Sequence, residues 1–159
     1  MYPQQHIIYG AIFSILIFWI VPEIGLSGAL IIFFSSFLID VDHYLMYISR
    51  KKDFNIFNAY SWHKKLDELF LTLPRSTRNK TFIGVCFLHG IELIILLIVI
   101  SVLINKIFLF FAIGFIFHLS LDLIQQKAHY IDRPDKVSLI HDVFQSKRLK
   151  PLIKYSSNI

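Results

Sequence analysis

The chain predicts an all-α integral membrane protein, a four-helix bundle with an interfacial amphipathic helix in its central cytoplasmic connection. Three observations lead there. Hydrophobic residues fill 55% of the 159 positions and mean hydropathy is +0.60, too apolar for an ordinary soluble domain. The apolar residues gather into runs long enough to cross a hydrocarbon core, which takes about 20 residues. The basic residues, which give a net charge of +5, lie mostly outside those runs in two blocks.

The elements follow in order. The first span runs from Gln5 to Val21 and stops at Pro22-Glu-Ile-Gly25; the second runs from Leu26 to Ile48. The third runs from Thr81 to Ile104 and the fourth from Lys106 to Gln125, with so little between them that they must form a tight hairpin. Between the second and third spans, Tyr60 to Leu73 sets Trp62, Leu66, Leu69, Phe70 and Leu73 against Lys64, Lys65, Asp67 and Glu68. That pattern is an amphipathic helix lying on the membrane surface. Residues 1–125 thus make one four-span unit, and 126–159 a basic tail that is not an independent domain. The N-terminus has no Lys or Arg before its apolar stretch and no small-residue cleavage site after it, so it reads as retained.

Charge sets the orientation. Arg50, Lys51, Lys52, Lys64, Lys65, Arg75, Arg78 and Lys80 fill the central connection, and a second group from Lys127 to Lys154 fills the tail. The other two connections hold only Lys106, so both termini and the central connection face the cytoplasm. Cations placed in this way are topology determinants, and no direct nucleic-acid binding is expected. Cys86 is the sole cysteine, which excludes an internal disulfide, and its apolar surroundings predict a packed, unreactive thiol.

At about 1.5 Å of rise per residue, the polar residues within the spans fall into one layer near the cytoplasmic side. His6 sits at the mouth of the first helix, and Asp40, Asp42 and His43 lie roughly 7 to 12 Å into the second. His89 enters about 10 Å into the third with Glu92 a turn deeper, while His118 and Asp122 lie roughly 5 to 10 Å from the end of the fourth. Asp40 with His43, His89 with Glu92 and His118 with Asp122 are spaced i to i+3 or i+4, so each pair shares a helix face.

A lone histidine in a membrane helix is often only hydrogen-bonded to a neighbour, and this reading competes most strongly for His6. Carboxylates are different. Each costs roughly 2.5 to 3.5 kcal/mol at a helix centre, so four of them cost on the order of 10 kcal/mol. A structural divalent site is worth about 10 to 16 kcal/mol, enough to offset that sum. Imidazole with carboxylate suits zinc, with manganese or iron as alternatives, better than calcium or magnesium. The candidate ligands are His6, Asp40, Asp42, His43, His89, Glu92, His118 and Asp122, more than the three or four that one catalytic zinc uses. Two or more ions sharing a bridging carboxylate would use them all, and paired ions commonly hydrolyse phosphoesters with metal-activated water. Asp42, His118 and Asp122 are the expected catalytic residues. His63, His129, His141 and Asp142 are weaker candidates, each read first as a solvated polar residue.

The Asp-Val-Asp-His of 40–43, His6 followed by Gly10, the segment around His89 and the His-Leu-Ser-Leu-Asp of 118–122 resemble the YdjM-like family over the first 125 residues. That family is described as inner-membrane metal-dependent hydrolases, also called LexA-binding. It is distantly similar to the zinc-dependent phospholipase C and P1 nuclease group, to which only His118 and Asp122 carry over as a zinc-ligand pair. No N-terminal Trp ligand is present, Gln5 precedes His6 where the family often has Thr, and the third segment matches loosely. The resemblance implies a metal, a hydrolase, and a multi-pass protein of a bacterial or archaeal inner membrane.

A site about 10 Å below the cytoplasmic surface suits a phospholipid or lipid-linked phosphoester, and basic segments attract anionic lipid by roughly 1 kcal/mol per cation. Two rivals stay open. One is a transporter or ion pathway for metal or protons, against which the spans show no interior Pro or internal repeat. The other is an interaction protein with a protein partner, whose metal is structural. No Gly-rich phosphate loop or Gly-x-Ser-x-Gly elbow supports nucleotide or serine chemistry.

Overall fold

Helix α1 covers Pro3–Ile20. Proline suits the first turn of a helix, and Val21 ends this one because a residue preceding proline leaves the helical region, here at φ −129° and ψ 72°. A 3₁₀ turn at Pro22–Ile24 and Gly25, at φ 65°, reverse the chain. Helix α2 follows as Gly25–Leu38 and α3 as Val41–Lys51. Then come α4 (Ile56–Thr72), a single turn α5 (Arg75–Arg78), the short strand β1 (Thr81–Phe82), α6 (Ile91–Leu103), α7 (Ile107–Ala128), α8 (Leu139–Arg148) and β2 (Lys150–Pro151). This computed structural model describes residues 3–82, 84–128 and 137–152.

The bundle is inverted relative to a soluble fold. On α1 the buried stripe is His6, Gly10 and Ser14 at i, i+4 and i+8, while Ile8, Ile12, Ile15 and Trp19 face outward, Trp19 with 79% of its surface exposed. Large apolar side chains outside and small or polar ones inside suit lipid surroundings, where close helix contact rests on small residues. Helix α2 packs against both α1 and α7, and α6 packs against α7. A Cβ on Gly10 would lie 2.0 Å from Ser36 Oγ, and one on Gly114 would lie 1.9 Å from Ser35 Oγ and 2.6 Å from the Ile32 carbonyl. Bare backbone at these points brings α1 and α7 onto α2 just where α2 ends.

Among the described residues, three helices are long and apolar enough to cross a membrane: Pro3–Ile20, the stretch Pro22–Lys51 taken through its turns, and Ile107–Ala128. The expected third span differs. Among its described residues only Ile91–Leu103 is helical, about 20 Å at 1.5 Å per residue, against a core of about 30 Å. The backbone before it has other partners: Leu88 N–H donates to the Asp42 carboxylate, Ile91 N–H to the Val137 carbonyl, and Gly90 is extended at φ −130° and ψ 139°. A Cβ on Gly84 would stand 2.2 Å from Met46 Sδ, so this arm runs close along α3.

The second expected span is also interrupted. Between α2 and α3 the ladder tightens to i+3 bonds, from Asp40 N–H to the Phe37 carbonyl and from His43 N–H to that of Asp40. The amphipathic segment is helical as expected, and its apolar face packs within the protein. Ala59, Trp62, Leu66 and Phe70 form a buried cluster with Met46 and Tyr47 of α3 and with Leu152. At the junction, Asp53 accepts hydrogen bonds from the Tyr47 hydroxyl, Asn55 N–H and the Asn58 amide, and the Asn55 side chain caps α4 by accepting from Phe57 and Asn58 N–H. Residues of the basic tail return to the bundle through β2, which pairs parallel with β1 in the register Thr81 to Lys150 and Phe82 to Pro151.

Candidate metal centre

The two interruptions and two helices meet at one point. His6 comes from the first turns of α1, Asp40 and Asp42 from the start of α3, His89 from the arm before α6, and His118 and Asp122 from α7. His6, His89 and His118 are fully buried, and Asp42 and Asp122 keep only 4% and 5% of their surface exposed. Gly10 lies one turn beyond His6 and Gly114 one turn before His118. The close approaches on α2 are therefore what hold both rings against its end.

The inward atoms are closely spaced. His89 Nε2 lies 3.0 Å from His118 Nε2. Asp40 Oδ1 is 3.5 Å from the first and 3.6 Å from the second, and Asp122 Oδ2 is 3.7 and 3.5 Å from the same two nitrogens. Two ligands of one tetrahedral ion at about 2.0 to 2.2 Å from the metal stand roughly 3.3 to 3.6 Å apart. The four carboxylate distances lie in or close to that range and the His89–His118 edge, at 3.0 Å, is shorter, so the atoms form two donor triads that share that edge.

The outer atoms explain why these nitrogens face inward. His118 Nδ1 is 2.8 Å from the Ser36 carbonyl, which can only accept, so Nδ1 carries the hydrogen. His89 Nδ1 is 3.0 Å from Asp42 Oδ2, which also accepts from Leu88 N–H at 2.9 Å. In the neutral rings, two lone pairs then confront each other at 3.0 Å and need a shared cation or proton between them. Carboxylate or carbonyl behind each imidazole is the usual second layer of a histidine metal site. His6 stacks on His118 with ring centroids 3.8 Å apart. Its Nε2 stands 3.2 Å from Asp122 Oδ1, yet neither ring nitrogen has hydrogen-bond alignment. Asp40 Oδ2 and Asp42 Oδ1 are likewise buried without a hydrogen-bond partner. Buried polar atoms in that condition are costly, and their number in one place fits an ion's donor set.

The structure thus brings together seven of the eight expected ligands, in unequal roles. Asp42 turns one oxygen to His89 and lies behind the inner cluster. His43 stands at the edge, its Nε2 3.7 Å from Asp40 Oδ1 and its side chain 19% exposed. Glu92 is not in the cluster. Its carboxylate accepts from Ser138 Oγ and from the N–H groups of Leu139 and Ile140, capping α8. The extended arm ends at Gly90, so His89 and Glu92 do not share a helix face.

His63 on α4 holds the His43 carbonyl at 2.9 Å through Nε2. His141 and Asp142 lie on α8, 3.6 Å apart, and neither falls within the donor groups. His129 lies outside the described residues. Cys86, expected to be inert packing, is buried with Sγ 3.5 Å from His43 Nδ1. Its position three residues before His89, in a segment that had to reach the cluster, was the available signal.

Fold and site together define a mainly helical chain with membrane-length apolar helices and buried His, Asp and Cys groups that could hold a metal ion. No family model matches the chain, and neither does any curated protein or solved structure.

Proposed function

We propose that this chain is a membrane-embedded metal-dependent hydrolase that cleaves a phosphoester of a lipid or lipid-linked substrate at the cytoplasmic face. One observation carries the reading: two imidazole nitrogens 3.0 Å apart, each within 3.7 Å of Asp40 and Asp122 oxygens, with their outer nitrogens already committed. His89, His118, Asp40 and Asp122 would hold the ion, with zinc the best match to two imidazoles and two carboxylates and manganese or iron the alternatives. A divalent ion held there supplies Lewis acidity and a water acidic enough to attack near neutral pH. Asp42 and the Ser36 carbonyl keep the two rings aimed, and His6 props Asp122. Asp40 Oδ2, which accepts no hydrogen bond, takes the proton of the attacking water. Asp40 and His43, with side chains 12% and 19% exposed, are the open edge of the cluster and therefore its mouth.

The membrane topology belongs to the same proposal. The placement of the cations puts the central connection and both termini in the cytoplasm, and α6 with the arm before it would make the third of four crossings. Non-helical backbone at membrane depth is tolerated where it lines a cavity or is buried in protein, as it would be at this cluster. The basic segments would draw anionic phospholipid toward the mouth. The resemblance to the YdjM-like hydrolases points the same way.

A second reading has a specific observation behind it. Interrupted helices meeting at a polar site are a transporter feature, and the breaks at Asp40 and before α6 remove one ground for setting that reading aside. The deciding experiment screens lipid and soluble phosphoesters with purified protein and, in parallel, measures zinc uptake into proteoliposomes. Turnover that is lost in His118→Ala supports the hydrolase. Uptake without turnover of any substrate would replace it with the transporter.

A further inference from the structure

Beside the inner cluster lies a second group of donors, and we infer that Cys86, His43 and Asp42 form a distinct site for a thiophilic divalent cation of the zinc and cadmium class. Asp42, His43, Cys86 and His89 offer ligand atoms that all lie within 4.8 Å of one another. His89 Nδ1 faces Asp42 Oδ2, which leaves Cys86 Sγ and His43 Nδ1, 3.5 Å apart, with a carboxylate oxygen of Asp42 as the donors. Asp42 is 4% exposed, and its Oδ1 is buried without a hydrogen-bond partner. An acid carrying one satisfied and one orphaned oxygen is built to serve two sites at once.

The donor set separates this site from its neighbour. The inner cluster offers imidazole and carboxylate only, whereas a thiolate selects soft cations. His43 lies between the two, its Nδ1 toward Cys86 and its Nε2 toward Asp40. Binding exchanges the thiol hydrogen for the metal and releases one proton to solvent. Manganese or iron would favour the inner cluster, while the more thiophilic the cation, cadmium above zinc, the more it is taken at Cys86. The site stands on its own donors and does not depend on hydrolysis.

The test titrates Cd²⁺ into metal-stripped, full-length protein in detergent and follows thiolate-to-cadmium charge-transfer absorption in the ultraviolet. Because Cys86 is the sole cysteine, a band in wild type already identifies the ligand, even if Cys86→Ser were to misfold. The expected result is a saturable band of one equivalent, absent in Cys86→Ser and retained in His118→Ala. Cadmium affinity at that band falls by more than about tenfold in His43→Ala and in Asp42→Asn, since even outer-layer partners contribute that much. No band in wild type, or a band indifferent to His43→Ala and Asp42→Asn, overturns the inference. Either outcome leaves the hydrolase reading to be judged by turnover alone.

Discussion

His118 is fixed from three sides, by the Ser36 carbonyl at Nδ1, the His6 ring on its face and His89 at Nε2. Its replacement therefore differs in kind from that of Asp42, which touches the cluster through His89. Metal analysis of purified variants should show His118→Ala losing the inner ion, while Asp42→Asn keeps it with affinity lowered by about 10- to 100-fold. Equal metal content and affinity in all three proteins would remove both from the site. Most of these residues were legible in the sequence because an acid in an apolar run needs a compensating charge. The same signal misplaced Glu92, whose carboxylate is satisfied by backbone N–H groups at the start of α8, something no spacing rule reveals. Cys86 is packed as expected, but its residue type blends into the hydrophobic pattern, which hid its place beside His43.

At the scale of elements, Gly10 and Gly114 set how closely α1 and α7 approach α2, and the two differ in what blocks a side chain. Gly10→Ala meets mainly Ser36 Oγ, at 2.0 Å, whereas Gly114→Ala meets both Ser35 Oγ and the Ile32 carbonyl. Each should destabilise the protein by about 1 to 3 kcal/mol, the usual cost of overpacking. Adding Ser36→Ala should restore most of the first loss, and adding Ser35→Ala only part of the second, because a backbone oxygen cannot be removed. Thermal unfolding of the four variants in detergent checks this, and equal rescue would contradict it. The Asp53 junction gives a pH prediction. Hydrogen bonds from Tyr47, Asn55 and Asn58 hold the Asp53 carboxyl below its ordinary value. Its contribution is then present above an unfolded value of about 3.9 and disappears as pH falls through the lower folded one. Protection from hydrogen exchange at the start of α4, measured relative to the intrinsic rate, should fall over that acid range in wild type, and already be low at neutral pH in Asp53→Ala. Hydropathy located α1 and α7 because both are continuous. It missed the break at Asp40 and the arm before α6, since composition records where a chain is apolar and not which carbonyl each N–H will find.

For the whole molecule, the consequence of the site is that points distant in sequence, at residues 6, 40, 89, 118 and 122, converge on one buried cluster that could hold a metal ion. Without a hydrophobic drive between helices in lipid, association rests on packing and polar contacts. The cluster sets acids and imidazoles against one another in the tightest part of that packing. An ion that binds the folded state alone stabilises it by about 2.7 kcal/mol at a hundredfold excess over its dissociation constant. Chelation should therefore lower the unfolding temperature of wild type, and restored zinc should raise it in proportion to the logarithm of its free concentration. His118→Ala should start lower and respond to both treatments less than wild type, with only the Cys86 group left to bind. A wild-type transition unmoved by chelator, in protein shown by metal analysis to have been stripped, would mean that shared protons hold the cluster closed. The chemistry proposed at Asp40 would then have no ion to assist it.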